Sequence, residues 1–434
     1  MSRYENVVCP FCGCLCDDIE VTVENGRIVN VKNACKVSLS KFLNHDKNRI
    51  ENSMIRKSGE LTPVSLSEAI DESAKILTNS SRPLIYGLAS TECDANRKAI
   101  ELAELIGGVV DNTTSVCHGP TVLGVQDVGE PVATLGETKN RADLIVFWGC
   151  NPTSAHIRHT VRYSVFPKGL FTPEGRKKKT VITVDVRETG IARISDMFIK
   201  IEPNMDFELL SALRAIIKGH KIENETVAGV KTEEINRLAE KMKTCKFGVI
   251  FFGLGLTMTE SKYMNMDALM CLVRELNAHT KFVTLPMRGH YNVTGACMVS
   301  SWLTGYPYAV DFSRGYPRYN PGEFSAVDVL ANGEADAALV MASDPAASFP
   351  VEAARNLAKI PTIVMDPKIT MTTLIGHIII PVAVAGIECE GTAYRMDGVP
   401  IRLRKVTDPP TGQLPDSQIL QMIIDGIREL RKEK

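Results

Sequence analysis

Four of the chain's 12 cysteines fall within eight residues, at Cys9, Cys12, Cys14 and Cys16, and Cys35 follows after 18 more. Dense cysteines in a chain without a secretory signal read as metal ligands rather than disulfides. Soft thiolates select zinc, copper(I) or iron–sulfur clusters. Cys9-x2-Cys12-x3-Cys16 together with Cys35 supplies four thiolates, enough for a 4Fe–4S cube, and leaves Cys14 over. A four-thiolate zinc site competes. Zinc sites usually pair two Cys-x-x-Cys knuckles, and Cys35 has no second cysteine beside it. Between Cys16 and Cys35, period-2 alternation flanks Asn25-Gly26, which predicts a hairpin returning Cys35 to the first three cysteines. Lys36 follows directly and places a cation beside this head.

Two further groups carry chemistry. Cys117-His118-Gly119-Pro120 puts a thiol beside an imidazole after the polar loop Asp111-Asn112-Thr113-Thr114. Such a thiol suits a ligand or a nucleophile, and a buried structural cysteine is the competing reading. Arg288-Gly289-His290-Tyr291-Asn292 puts an arginine in a loop, where it can hold a carboxylate bidentately or form a plain surface ion pair.

The elements that must position these groups alternate. Apolar runs at 84–87, 144–148, 180–184, 247–252, 282–285, 338–341 and 362–365 predict strands, and helical patterns lie between many of them. This predicts an α/β fold with largely parallel sheets. Two segments repeat one grammar. Asp143 leads to Asn151-Pro152 and Asp336 leads to Asp344-Pro345, eight residues on in each case. Asp185 has Thr189 four later and Asp196 eleven later, while Asp366 has Thr370 and His377 at the same offsets. Two copies suggest two half-sites about a pseudo-twofold axis. Ligands of open parallel sheets bind beyond the strands' carboxyl ends, where Asn151, Asp185, Asp344 and Asp366 fall. Helix capping is the alternative for each. Gly253 and Gly255 end another strand and could cradle a phosphate, although Gly-x-Gly alone is a weak signal.

Composition narrows the class. The chain has 434 residues and a formal net charge of −1, which gives no general case for a polyanion partner. Arg176-Lys177-Lys178-Lys179 reads as a solvated loop. No apolar segment follows a basic start, and the longest apolar runs fall short of the roughly 20 residues a membrane span needs. The expectation is a cytoplasmic protein with no membrane span and no nucleic acid.

The head, Lys36, Cys117-His118, the 149–152 and 184–187 segments, 288–296 and Glu390-Gly391-Thr392 stand in the order of the molybdopterin oxidoreductases, which the chain resembles over nearly its whole length. The 288–296 segment resembles the formate dehydrogenase loop that carries the substrate arginine. Cys9-Pro10-Phe11-Cys12-Gly13-Cys14-Leu15-Cys16-Asp17-Asp18-Ile19 resembles the B-subunit branch of formylmethanofuran dehydrogenases. The resemblance implies a 4Fe–4S cluster on Cys9, Cys12, Cys16 and Cys35, with Lys36 between it and one pterin. It implies tungsten or molybdenum held by two molybdopterin guanine dinucleotides and by Cys117, with His118 and Arg288 as catalytic neighbours. The half-sites, with Asn151, Asp185, Arg187, Gly253, Gly255, Asp344 and Asp366, would each receive one dinucleotide. The implied reaction is reduction of CO2 to formate with low-potential electrons, the first step of methanogenesis from CO2, His118 carrying a proton.

The expected architecture is α/β. A small β-rich cluster domain at 1–55 is completed by about 390–434. Two Rossmann-like dinucleotide domains follow, at 56–135 with 290–389 and at 136–289. Only about 40 residues follow Thr392, so the family's C-terminal β-barrel domain is expected to be absent and supplied by a separate dinucleotide-binding β-barrel subunit. Other implied partners are an amidohydrolase-like subunit and polyferredoxin-type subunits. Rival readings are a formate dehydrogenase catalytic subunit and a metal-free scaffold subunit of a formyltransferase/hydrolase complex. The missing barrel speaks against the first and the full residue set against the second.

Overall fold

The computed structural model describes residues 1–432. The chain forms two compact units. The first comprises Met1–Val116, His290–Arg395 and the chain from Pro400 onward, and the second Cys117–Gly289 with Met396–Val399. No helix among the described residues is long and apolar enough to cross a membrane.

The first unit begins with a three-stranded antiparallel sheet of Ser2–Val7, Ile19–Glu24 and Arg27–Lys32. Asn25 and Gly26 both take positive φ, 49° and 77°, the geometry of the primed hairpin turn that Asn-Gly favours. Ile19, Val21 and Val23 point inward, as the alternation requires.

The parallel strands are numbered along the chain as β1 (Pro83–Gly87), β2 (Val109–Asn112), β3 (Leu144–Trp148), β4 (Thr180–Asp185), β5 (Met197–Lys200), β6 (Phe247–Phe252), β7 (Lys281–Pro286), β8 (Ala337–Met341), β9 (Thr362–Met365) and β10 (Ile378–Ile380). In the second unit they form a five-stranded parallel sheet ordered β5-β4-β3-β6-β7. In the first, the parallel run is β10-β9-β8-β1-β2. Antiparallel strands extend this run at both edges to nine, Ser53–Lys57 pairing with β10 and Val310–Asp311 with β2. Helices cover both faces of such sheets, so strand residues are buried throughout. Every residue of Leu144-Ile145-Val146-Phe147-Trp148 is, which explains runs without alternation.

Two boundaries differ from expectation. Residues 117–135, expected in the first α/β domain, fold into the second unit. Helix Gly119–Val128 packs on helix Lys262–Leu276, and a Cβ at Gly124 would stand 2.7 Å from the Cβ of Met266. Glycine is what allows that approach. Residues 390–434, expected as one piece completing the thiol head, divide. The hairpin Gly391–Tyr394/Pro400–Leu403 puts Ala393 and Leu403 against Val8 and Leu15 of the head. Helix Asp416–Lys432 instead buries Ile419, Leu420, Ile423, Ile424 and Ile427 in the core of the nine-stranded sheet. Its apolar residues recur at helical spacing on one face, and that face packs on the core.

Candidate functional site

The structure extends the sequence repeat to a whole five-stranded module. Gly149 after β3 and Ala342 after β8 both take positive φ, 56° and 48°. The Gly149 amide donates to Val184 O at 2.9 Å, and the Ala342 amide donates to Met365 O at 3.0 Å. Asn151 and Asp344 then start short helices from near-identical backbone, φ −124° in both, each followed by proline. The Asp196 amide donates to Val181 O at 2.8 Å, and the His377 amide to Thr362 O at 2.7 Å. Asp185 Oδ1 accepts from Arg187 N (3.3 Å) as Asp366 Oδ1 accepts from Lys368 N (2.8 Å). The match continues into strands with no sequence likeness. The Met287 amide donates to Phe252 O, past the ends of β7 and β6, and the Thr113 amide to Gly87 O, past β2 and β1. In both sheets strand order reverses at one place, between β3 and β6 and between β8 and β1, where ligands of such folds bind.

In the second unit that place brings Asn151, Gly253 and Gly255 together. The Gly255 amide donates to Gly149 O at 2.9 Å, and a Cβ at Gly253 would meet that of Cys150 at 2.7 Å. Asn151 bonds locally to Thr153 and Ser154. Burial raises the pKa of the Asp185 carboxyl. Arg187 is exposed.

The Cys117 and Arg288 loops leave β2 and β7, strands at matching places in the two modules. Cys117 O accepts from Thr257 Oγ1 at 3.0 Å. His118 is fully buried at the start of helix Gly119–Val128, its Nδ1 3.1 Å from Thr121 Oγ1. Burial, and next the Arg288 charge, pushes the imidazole down to about 3. A proton carrier near neutrality was expected, whereas this surrounding holds His118 neutral. The Arg288 carbonyl accepts from His156 Nε2 at 2.8 Å, which fixes the loop. Burial pushes Glu130 up to about 7, opposed by the Thr284 hydroxyl bond and by Arg288.

The first unit holds the thiol head. Ser38 joins two of its cysteines. Cys9 Sγ donates to Ser38 Oγ at 3.1 Å, and the Ser38 amide donates to Cys35 Sγ at 3.4 Å, Cys35 being the N-cap of helix Lys36–Leu43. Burial raises Cys9, and the hydrogen bond from Cys14 lowers Cys12 to about 7 despite burial. Among the described residues no three Cys, His, Asp or Glu side chains converge as a single metal ion requires.

Beside the head lies a cavity of about 480 Å3, within the same unit, lined by Phe11, Lys41, His290, Tyr291, Asp366, Lys368 and Asp416 among others. Burial pushes Asp366 and Asp416 each up to about 7. Tyr291 Oη and Asp416 Oδ1 are buried without a partner among the described residues, so polar groups line space that protein does not fill. A buried ion pair braces the wall: Arg49 Nη1 and Glu388 Oε1 are 2.5 Å apart, with side chains 3% and 0% exposed. Asp344 does not reach this cavity. Its carboxylate accepts from Met371 N, Thr372 N and Thr372 Oγ1 and caps helix Met371–Ile375, the capping alternative.

Two lysines lie on the head's helix. Lys36 is exposed at the head's helix and does not line the cavity. Lys41, one turn on, does; its ammonium lies 5.2 Å from the Phe11 ring centroid, and its charge reaches Cys12 and His290. Lys368 was legible as the counterpart of Arg187 two residues after the aspartate. Asp416 and Glu130 carried no local signal.

The sequence profile of the molybdopterin oxidoreductase family matches residues 49–425. The B subunit of the tungsten-containing formylmethanofuran dehydrogenase 2 of Methanocaldococcus jannaschii is 53% identical over 428 residues, 98% of each chain. The protein of the same name from Methanococcus maripaludis is 50% identical, over 99% of this chain and 100% of that one. Among solved structures, acetylene hydratase from Pelobacter acetylenicus superposes with a TM-score of 0.74 at 14% identity, over 98% of this chain and 69% of that one, a likeness of fold. The chain therefore belongs to the molybdopterin oxidoreductase family, in the branch of the formylmethanofuran dehydrogenase B subunits.

Proposed function

We propose that this chain is the redox subunit of a formylmethanofuran dehydrogenase, reducing CO2 to formate with two electrons and one proton. The observation that carries the reading is one chain combining the thiol head with two copies of a ligand-binding module, as a cluster plus two dinucleotides demands. Two pterin guanine dinucleotides and tungsten or molybdenum supply the two-electron chemistry when bound, and a 4Fe–4S cluster passes electrons singly.

Cys9, Cys12, Cys16 and Cys35 would hold the cluster. Four soft donors, two of them tied through Ser38, suit a cube, in which each thiolate takes its own iron corner and need not converge on one ion. Asn151, Asp185, Arg187, Gly253 and Gly255 would receive one dinucleotide. The cavity at Asp366, Lys368 and Lys41, with the orphaned Tyr291 and Asp416 oxygens, would receive part of the other, and Asp344 shapes that loop. Lys36, next to Cys35, would lie between the cluster and one dinucleotide. Cys117 would present its thiolate to the metal. Arg288 would stabilise negative charge growing on the CO2 oxygens. His118, held neutral, would hydrogen-bond at the reacting group. Partner subunits of the amidohydrolase, β-barrel and polyferredoxin kinds complete the proposal, and the cytoplasm is its setting.

Anaerobically purified protein is expected to carry tungsten or molybdenum and about four irons per chain. Zinc alone in elemental analysis would sink the reading. Cys117→Ala should abolish viologen-linked formate oxidation while the cluster's EPR signal persists, and retained activity would remove Cys117 from the site.

A further inference from the structure

Within the second unit, the short helix Pro152–Ala155 takes Asn151 as its N-cap and His156 as its C-cap, the His156 amide donating to Pro152 O at 2.9 Å. His156 is 3% exposed, and its Nε2 lies 2.8 Å from the Arg288 carbonyl oxygen. A carbonyl only accepts, so Nε2 carries the hydrogen. The bond falls at a particular place in the arginine's loop. Just before it, the Met287 amide donates to Phe252 O at 2.7 Å and the Arg288 amide to Pro286 O at 3.0 Å. Just after it comes Gly289, exposed and with open space where a side chain would stand. Glycine gives the chain its widest conformational freedom there, so the histidine holds the peptide that joins the arginine to the freest link of the loop. The first unit shows the same turn without this bond. Its matching helix, Pro345–Ser348, ends on Phe349, whose amide likewise donates to Pro345 O at 2.9 Å. The Phe349 ring packs edge-on to Tyr86, with ring centroids 4.9 Å apart. Met287 corresponds to Thr113 through the amide bonds described above, so Arg288 corresponds to Thr114. The turn therefore forms with an apolar ring where no arginine is served, and the histidine accompanies the arginine.

We infer that His156 is a positioning residue for Arg288: its Nε2–H fixes the Arg288–Gly289 peptide and thereby sets the guanidinium against the oxygens of CO2 or formate. The inference rests on the reaction proposed above. Electrostatic stabilisation needs the charge in place before the transition state forms, and small misplacements are costly. His156 acts through the backbone it holds and not on the substrate. Its own anchor is the helix that begins at Asn151, so the arginine's place is referred to the loop proposed to receive a dinucleotide. In the direction of formate oxidation, the oxygens carry most negative charge in bound formate. Loss of the bond should therefore weaken formate binding more than it slows turnover.

The test compares wild type, His156→Phe and His156→Gln as full chains purified anaerobically. Phenylalanine is the residue of the matching turn, and the glutamine amide can donate from nearly the place of Nε2. Each protein is assayed for tungsten, molybdenum and iron, for the kinetics of viologen-linked formate oxidation, and for hydrogen–deuterium exchange in peptides covering Met287–Gly289. The expected result is unchanged metal content in both variants. In His156→Phe, KM for formate should rise about tenfold while kcat changes less than about threefold. Exchange over Met287–Gly289 should quicken in the same variant, and His156→Gln should return both readouts toward wild type. An unchanged KM in His156→Phe, or unchanged exchange there, would overturn the inference. So would loss of metal in His156→Phe, or a glutamine variant no better than the phenylalanine one. If His156→Phe does not fold, His156→Asn takes its place, because its amide is too short to reach the carbonyl, and the same outcomes decide. Wild type without formate oxidation would instead overturn the proposed reaction, a different failure, and the exchange result would still decide whether His156 holds the loop.

Discussion

The two modules share a backbone but hold it by different means. At the turn after β3 the second unit uses glycine. A Cβ at Gly149 would lie 2.5 Å from the carbonyl carbon of Gly255, so two backbones touch. At the matching turn after β8 the first unit carries Ala342 at almost the same φ and uses charge around it: Asp344 caps a helix, and Arg49 and Glu388 brace the wall behind Asp366. Duplicated folds keep the path of the chain while the chemistry that fixes it drifts. The side whose acid is committed to a cap has one fewer group to offer a ligand.

Substitutions can break this comparison. The largest effect is expected from Glu388→Ala, which strands a buried Arg49 and should cost about 3–5 kcal/mol in denaturant unfolding. A loss under about 1 kcal/mol would mean that the pair is not a brace. Next, Gly149→Ala should cost about 1–3 kcal/mol through positive φ and backbone contact. Ala342→Gly, its mirror, should change stability by less than about 1 kcal/mol. Equal effects would show that the two turns are held alike.

Asp344→Ala removes a carboxylate with three donors and should cost about 1–2 kcal/mol, as for a lost helix cap. Asn151→Ala loses only local hydroxyl bonds and should stay within about 0.5 kcal/mol. The last test reads pH dependence. Asp366 titrates near 7 in the fold against an ordinary 3.8, so the folded chain holds a proton that the unfolded chain releases. Its contribution is present at acid pH and lost as pH rises through that window. Asp366→Asn should flatten the fall in unfolding midpoint between pH 4.5 and pH 7.5. Asp185→Asn should flatten it less, since Asp185 is less buried, and the reverse order would contradict the burial difference.

The sequence carried the local features well. The Asn25-Gly26 hairpin, the buried strands and the thiol spacing are short-range consequences of turn chemistry, burial and ligand type. Half of the duplication was legible for the same reason: β3–β4–β5 and β8–β9–β10 are contiguous, so their aspartates keep fixed offsets. The other half was hidden because the repeat is permuted. β6 and β7 follow their partners in the second unit, while β1 and β2 precede theirs in the first, and no common offset survives.

What the sequence alone determined, then, is what neighbouring residues decide together: soft thiolates at cluster spacing, an α/β alternation, paired acids at strand ends and the family to which these belong. Only the tertiary structure decided which side chains face one space. It moved 117–135 to the second unit through a helix contact that needs Gly124. It put Lys41 rather than Lys36 on the cavity wall, bound Asp344 into a cap, and held His118 neutral. Each outcome depends on packing between residues far apart in the chain, because burial and through-space charge follow distance in the fold and not distance in the sequence.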